Sequence, residues 1–113
     1  MESVIYNEMR MRGWIVDVGN IFNRVRNTEG QQQRITLEVD FVCNKGSKRI
    51  YIQSAYKMPD AEKMEQEKRS LKLVDDSFHK LIVVGEHTKP WSDENGIQIV
   101  SIYDFLLDLS FTE

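Results

Sequence analysis

Residues 37–56 read LEVDFVCNKGSKRIYIQSAY, and this stretch decides the fold because it predicts two β-strands joined by a tight turn. Apolar and polar residues alternate along both halves, as they do in strands, and the segment NKGSK between them is rich in turn-forming residues. The first strand is expected over about residues 34–43 and the second over residues 49–56. The sequence therefore predicts an antiparallel hairpin at the centre of the protein.

The turn of this hairpin sets the expected register. If the turn is symmetric about Gly46 and Ser47, residues whose numbers have a constant sum face each other, and Asp40 then lies opposite Gln53. Opposed side chains of this kind are ~5 Å apart, and Ala55 shares their side of the sheet. The residues of the first strand that are expected together on the other face are Ile35, Leu37, Val39, Phe41 and Cys43. A one-residue bulge would break this register.

The other elements follow from hydrophobic periodicity and from helix and turn signals. Helices are expected over residues 2–12, 59–74 and 101–109, strands over 14–22, 79–86 and 97–100, and loops over 23–34 and 87–96. The run HKLIVVGE is apolar and β-branched, which predicts a strand buried on both faces. Ser101 and Asp104 fit a capping box at the start of the last helix. This order predicts a mixed α/β domain in which the hairpin feeds a crossover helix.

Composition restricts the class of protein. The 113 residues suffice for one domain, and 41% hydrophobic with 29% charged residues is ordinary for a soluble globular chain. A net charge of −3 gives no overall attraction to nucleic acid, so any such contact needs a local basic patch. The single cysteine, Cys43, cannot form an internal disulfide. No apolar run is long enough for a membrane span and no signal peptide is visible, so a cytoplasmic location is predicted.

The chain resembles the C-terminal domain of unknown function that follows the ATPase domain in many bacterial and archaeal AAA-type ATPases. The segments that carry the resemblance cover nearly the whole chain and are ESVIYNEMRMRGW, EVDFV, KRIYIQSAY, EKRSLKLVDDSFHKLIVV and SIYDFLLD. That domain is similar in turn to the PD-(D/E)XK nuclease superfamily. The resemblance implies a restriction-endonuclease-like fold with a mixed central sheet flanked by helices. It also implies that residues 1–113 are one nuclease-like domain, the C-terminal fragment of a longer ATPase.

The same resemblance implies a set of site residues. In the nuclease superfamily an Asp on one strand, a Glu-x-Lys on the next and often a Glu on the first helix form the metal site. Here the Asp is Asp40, the Glu falls on Gln53 and the Lys falls on Ala55. The helix Glu falls on Glu2, with Glu8 as a second candidate. Asp40 and Glu2 are therefore the carboxylates left to hold a metal.

The two departures argue against catalysis. Phosphodiester hydrolysis at such a site needs Mg²⁺ held by carboxylates and a cation near the developing negative charge. Gln53 carries no charge and Ala55 offers only a methyl group, although a displaced lysine such as Lys57 could substitute. Asp40 could equally serve as a hydrogen-bond partner of Gln53 or of the first helix, with no metal.

Three functions remain open at this point. The first is a non-catalytic accessory or interaction module of an AAA-type ATPase, whose partner is the upstream ATPase domain and which has no cofactor of its own because ATP would bind upstream. The second is an active metal-dependent nuclease that uses Asp40 and Glu2, and the third is a structural docking domain. Basic residues that would line a nucleic-acid cleft, or would simply be solvated, are Arg24, Arg26, Arg34, Lys45, Lys48 and Arg49.

Overall fold

A computed structural model describes residues 1–26, 32–55, 68, 71 and 78–112, with the backbone alone for residues 19–26 and 32–38. Its elements, in chain order, are helix α1 (Glu2–Met11), strands β1 (Ile15–Arg26), β2 (Gln32–Lys45), β3 (Lys48–Ala55), β4 (His79–Val84), β5 (Trp91–Ser92) and β6 (Ile97–Ser101), helix α2 (Ile102–Leu107) and a 3₁₀ helix (Leu109–Thr112). The predicted helix over residues 59–74 lies outside the described residues except at Lys68 and Leu71, which are helical.

The strands form one six-stranded sheet in the order β1-β2-β3-β4-β6-β5. Neighbours are antiparallel from β1 to β3 and at β5–β6, and parallel at β3–β4 and β4–β6. The protein is therefore a mixed α/β domain with an open, mixed sheet, as the order of elements predicted. The described part of the chain has no helix with the length and apolar character that crossing a membrane requires.

The core lies on both faces of the sheet, because successive side chains of β3 and β4 point to opposite sides. One face, here called the helix face, packs against α1 and α2 and contains Ile5, Met9, Trp14, Phe41, Cys43, Ile50, Ile52, Leu81, Val83, Val100 and Phe105. The other, here called the crossover face, contains Val39, Tyr51, Leu71, Ile82, Val84, Ile97 and Ile99. Strand β4 is buried on both faces, as its apolar sequence predicted.

A β-bulge at Asp40 overturns one prediction. Val18 of β1 pairs with Phe41 and the next residue, Gly19, pairs with Val39, so Asp40 has no partner on β1. The extra residue shifts the alternation by one position. Val39 consequently lies on the crossover face whereas Phe41 lies on the helix face, and the prediction that both share one face is wrong.

Two predicted loops are also partly wrong. The segment 23–34 was expected to be a loop, but β1 extends to Arg26 and pairs there with Gln32 of β2. The residues of this segment show no alternation of apolar and polar side chains, so the sequence did not indicate a strand there. The loop predicted over residues 87–96 contains the two-residue strand β5, which pairs with β6 and is too short to show a periodicity. Residues 27–31 lie outside the described chain.

The start of α2 is confirmed in detail. The backbone N–H of Asp104 donates a 3.0 Å hydrogen bond to the hydroxyl oxygen of Ser101, which is the N-cap residue. This bond satisfies one of the N–H groups that the first helical turn leaves without a partner. The helix is shorter than predicted, since it ends at Leu107 and continues as the 3₁₀ helix.

Candidate functional site

The candidate site lies where β2 and β3 separate. The predicted register holds from the pair Lys45–Lys48 to the pair Phe41–Ile52. Asp40, the next residue of β2, is half-buried. It has no partner on β1 and lies one residue beyond the last β2–β3 pair, so its backbone and side-chain groups need other partners.

Side chains replace the backbone ladder at this point. The backbone N–H of Asp40 donates a 3.0 Å hydrogen bond to Oε1 of Gln53. In the other direction, the backbone N–H of Ser54 donates a 2.8 Å hydrogen bond to Oδ2 of Asp40. Each side chain therefore accepts a hydrogen bond from the backbone of the opposite strand. The predicted direct pairing of Asp40 with Gln53 is not formed, because the ladder ends at Phe41–Ile52, and the contact between the two residues is this backbone-to-amide bond.

Ser54 connects Asp40 to the first helix. Its hydroxyl lies 2.8 Å from Oδ2 of Asp40 and 3.5 Å from Oε1 of Glu2. A hydroxyl has one proton to donate, and the shorter distance assigns that proton to Asp40. The structure thus brings Glu2 and Asp40 together around Ser54, a residue that the sequence did not indicate, while Gln53 contacts the backbone of Asp40. No motif marks Ser54, because it occupies the unspecified position between Gln53 and Ala55.

Two other predicted residues lie apart from this group. Ala55 packs against the apolar cluster of the crossover face, and its carbonyl accepts a 2.9 Å hydrogen bond from the N–H of Gly85. Glu8 forms an ion pair with Arg12 at 3.0 Å. The helix carboxylate near Asp40 is therefore Glu2, whereas Glu8 pairs with Arg12 at the end of α1. Lys57 lies outside the described residues.

The chemistry of this site is that of a carboxylate held by hydrogen bonds. Oδ2 of Asp40 accepts from both the N–H and the hydroxyl of Ser54, and such bonds to a charged acceptor are stronger than bonds between neutral groups. Gln53 contributes a neutral oxygen that is already bonded to a backbone N–H. Among the described residues, no three His, Cys, Asp or Glu side chains lie close enough to form a metal-binding group.

The predicted basic residues occupy several places. Arg24 pairs directly with Arg34 across β1 and β2, and Arg26 pairs with Gln32. At the β2–β3 turn, Lys45 donates a 2.9 Å hydrogen bond to the carbonyl of Arg12, on the side of α1. The other two predicted basic residues beside that turn are Lys48 and Arg49. Lys48 is exposed, and Nε of Arg49 donates a 2.8 Å hydrogen bond to Oδ1 of Asn44. The turn lies at the opposite end of the β2–β3 ladder from Asp40.

A buried ion pair lies on the far side of the sheet, and sequence reasoning missed it. Nζ of Lys68 is 3.2 Å from Oδ2 of Asp93, and the two side chains are 7% and 1% exposed. The ammonium also lies 5.1 Å from the centre of the Trp91 ring. Burial alone would raise the pKa of Asp93, but the backbone N–H of Ile97, the ammonium of Lys68 and the backbone N–H of Asn95 outweigh it and hold that pKa below its ordinary value. Neither residue stands in a recognisable motif, so their pairing is visible only in three dimensions.

Comparison with known proteins gives a relative without a described activity. No protein-family model matches the chain. It is similar to an uncharacterized protein of Haemophilus influenzae (strain ATCC 51907 / DSM 11121 / KW20 / Rd), with 24% identity over 107 residues. The match covers 95% of this chain and 22% of that protein. The chain thus spans about a fifth of the length of the relative it matches.

Proposed function

We propose that this chain is a non-catalytic accessory or interaction module with a restriction-endonuclease-like fold, which acts at the C-terminal side of an AAA-type ATPase. One observation supports the proposal that the module is non-catalytic. Asp40 and Gln53, which stand at two metal-ligand positions of the nuclease pattern, accept backbone hydrogen bonds from each other's strands. These side chains join two diverging strands, a role that needs no metal.

The residue at the lysine position supports the same proposal. In the nuclease pattern this position supplies a positive charge beside the reacting phosphate, and losing such a group typically costs roughly 3 kcal/mol of transition-state stabilisation. Here it is Ala55, whose methyl group packs against the apolar cluster of the crossover face. Ala55 has no charged group, so this position cannot supply the positive charge that the pattern requires.

The length of the relative supports the modular part of the proposal. Nearly all of this chain matches about a fifth of a longer protein, as expected for a module joined to other domains. In this proposal the direct partner is the upstream ATPase domain, and ATP binds there. The test is the protein sequence encoded upstream of Met1, in which we expect a strand followed by G-x-x-x-x-G-K-[ST]. An upstream sequence with no nucleotide-binding motif would contradict the assignment.

Contact with nucleic acid is a second candidate role, and one observation favours it. Arg24 and Arg34 are direct backbone partners across β1 and β2, so the register puts two basic residues at the same level of this ribbon. Adjacent basic positions of this kind favour a polyanion as the ligand. The binding of a short DNA duplex should then weaken steeply with added salt and should weaken further in Arg24→Gln. Binding that does not depend on salt would argue for a docking domain.

The alternative of an active nuclease is tested by cleavage. The purified chain is incubated with Mg²⁺ or Mn²⁺ and with plasmid DNA or single-stranded RNA, beside the variant Asp40→Asn. We expect no metal-dependent cleavage by either protein. Cleavage by the parent that is lost in Asp40→Asn would show that Asp40 holds a catalytic metal.

A further inference from the structure

We propose that a pocket beside the β2–β3 turn is a binding site for a phosphate group. The pocket has a volume of about 270 Å³ and lies between the end of α1, the hairpin turn and the C-terminal 3₁₀ helix. Its lining residues are Arg12, Trp14, Lys45, Lys48, Leu109 and Thr112. This volume is below that of typical drug-sized pockets, which suits a small anionic group. The proposal does not depend on the proposed function, because it concerns the opposite end of the hairpin from Asp40.

Arg12 forms the fixed base of the pocket. It donates hydrogen bonds to the carboxylate of Glu8 at 3.0 Å, to Oγ1 of Thr112 at 2.9 Å and to the carbonyl of Phe105. Its charge is balanced by Glu8, and each of its three nitrogens already donates a hydrogen bond. Arg12 therefore shapes the pocket, and the cations left to bind a ligand are the two lysines.

The two lysines place two positive charges in the lining of the pocket. Lys45 and Lys48 are direct partners at the end of the β2–β3 ladder, and both are exposed. Among the described side chains, no carboxylate lies within ion-pair distance of either lysine. Like charges directly opposite each other destabilise a hairpin, and an anion between them removes that cost. Two ammonium groups match the charge of a phosphate dianion.

Lys45 is held in place by the surrounding residues. Its ammonium lies 2.9 Å from the carbonyl oxygen of Arg12 and 5.9 Å from the centre of the Trp14 ring. Next to it, Gly13 has a φ of +92°, which favours glycine, and the position that a Cβ would take there lies at van der Waals distance, 3.5 Å, from Cε and Nζ of Lys45. One cation is thus pre-positioned while Lys48 remains free to close on the ligand. Such pre-positioning lowers the ordering cost of binding.

The test uses the two tryptophans of the chain as reporter and internal reference. Trp14 lines the pocket, whereas Trp91 lies on β5 at the far edge of the sheet. In a two-dimensional NMR titration with sodium phosphate, the indole N–H of Trp14 and the backbone N–H groups of the β2–β3 turn should shift and the indole N–H of Trp91 should not. Sodium chloride at equal ionic strength is the control. Equal shifts of both indoles, or equal effects of the two salts, would overturn the proposal.

Variants locate the binding groups. Lys48→Gln should weaken phosphate binding about tenfold, which corresponds to one lost hydrogen bond to a charged group. The exposed Lys89, which lies outside the pocket, provides the matched control Lys89→Gln, and this variant should bind as the parent does. Unchanged binding in Lys48→Gln would overturn the proposal, and so would equal weakening in both variants.

The source of the phosphate is distinguished by three further probes. Adenosine monophosphate should compete with inorganic phosphate whereas adenosine should not, because the proposed contacts are to the phosphate. If a short DNA oligonucleotide displaces phosphate from the Trp14 pocket more effectively than the mononucleotide does, the natural ligand is a nucleic-acid backbone. If the mononucleotide competes better, the ligand is a small phosphate ester. Competition by adenosine alone would contradict a phosphate site.

Discussion

Ser54 supplies two 2.8 Å hydrogen bonds to Oδ2 of Asp40, one from its backbone N–H and one from its hydroxyl. A partly buried carboxylate loses hydration, so these donors determine how well the charge of Asp40 is tolerated between the strands. The hydroxyl bond can be removed alone because the backbone donor is independent of the side chain. The contribution of Ser54 to stability is therefore directly measurable.

We expect Ser54→Ala to lower the free energy of unfolding by about 1 to 2 kcal/mol, since it removes one hydrogen bond to a charged acceptor at a half-buried position. Urea denaturation monitored by circular dichroism measures the change. Ser47→Ala, at the exposed hairpin turn, is the matched control and should leave the midpoint unchanged. Equal midpoints for the two variants would show that the hydroxyl does not stabilise the strands.

Cys43 gives a second prediction at this scale. Burial, with a smaller effect of the Asp17 charge, raises the pKa of its thiol to about 12. The thiolate is the reactive form, so at pH 8 the folded protein should react with a disulfide reagent many times more slowly than the unfolded protein. The rate of colour development with Ellman's reagent, with and without guanidinium, measures this. Fast reaction of the folded protein would contradict the burial of Cys43.

At the scale of elements, the hairpin shows how far the sequence predicts the structure. Alternation and turn residues predicted β2, β3 and their register correctly from Lys45 to Phe41. The bulge at Asp40 was not predictable from alternation, because a bulge is decided by the pairing with β1 and not by the residues of β2 alone. Asp40 therefore has no partner on β1, and beyond the last β2–β3 pair its hydrogen bonds to Gln53 and Ser54 take the place of a strand ladder.

The residues of the site were predictable in part. The resemblance indicated Asp40, Gln53 and Glu2; the structure places Asp40 and Glu2 at the hydroxyl of Ser54 and Gln53 at the backbone N–H of Asp40. Ser54 itself was not predictable, since a serine beside a glutamine carries no motif. The ion pair of Lys68 and Asp93 was invisible for another reason: it joins the segment between β3 and β4 to the β5–β6 hairpin, and neither its burial nor its partner follows from spacing.

This ion pair predicts an acid sensitivity. The pKa of Asp93 is lower in the folded protein than its ordinary value of 3.8, so the folded state favours the charged form. Its contribution to stability is complete above about pH 4 and is lost as the pH falls through the lowered pKa. Stability measured by urea denaturation should therefore fall below pH 3.8.

The variant Asp93→Asn separates this effect from general acid unfolding. Removing one partner of a buried pair leaves the ammonium of Lys68 uncompensated, so we expect a loss of about 3 kcal/mol or more at pH 7 and a smaller further loss below pH 3.8. Glu94→Gln, at an exposed position of the same hairpin, is the control. An Asp93→Asn protein as stable as the parent at pH 7 would contradict the role of the pair.

At the scale of the whole molecule, Arg12 joins the two ends of the described chain. From the end of α1 it contacts the carbonyl of Phe105 and the hydroxyl of Thr112, and its guanidinium lies 4.8 Å from the centre of the Phe105 ring. These contacts bridge 93 and 100 positions in the sequence. These contacts fix the C-terminal helices against the end of α1 on the helix face of the sheet.

We expect Arg12→Lys to lower the free energy of unfolding by about 2 kcal/mol, because a lysine cannot present several donors in a fixed planar arrangement. Arg10→Lys, an exposed change in the same helix, is the control and should cost much less. Urea denaturation of both variants makes the comparison. Equal stability of the two would show that the guanidinium geometry is not required.

The central claim is that Asp40 and Gln53 join two strands and do not hold a metal. Thermal melts with and without Mn²⁺ test it for the parent and for Gln53→Glu. The variant places a second carboxylate beside Asp40, and the repulsion should lower its melting temperature without metal. Mn²⁺ should restore it, since a ligand that binds only the folded state adds roughly 2.7 kcal/mol at a hundred times its Kd. The parent should melt at the same temperature with and without Mn²⁺, and a metal-induced rise in the parent that disappears in Asp40→Asn would contradict the claim.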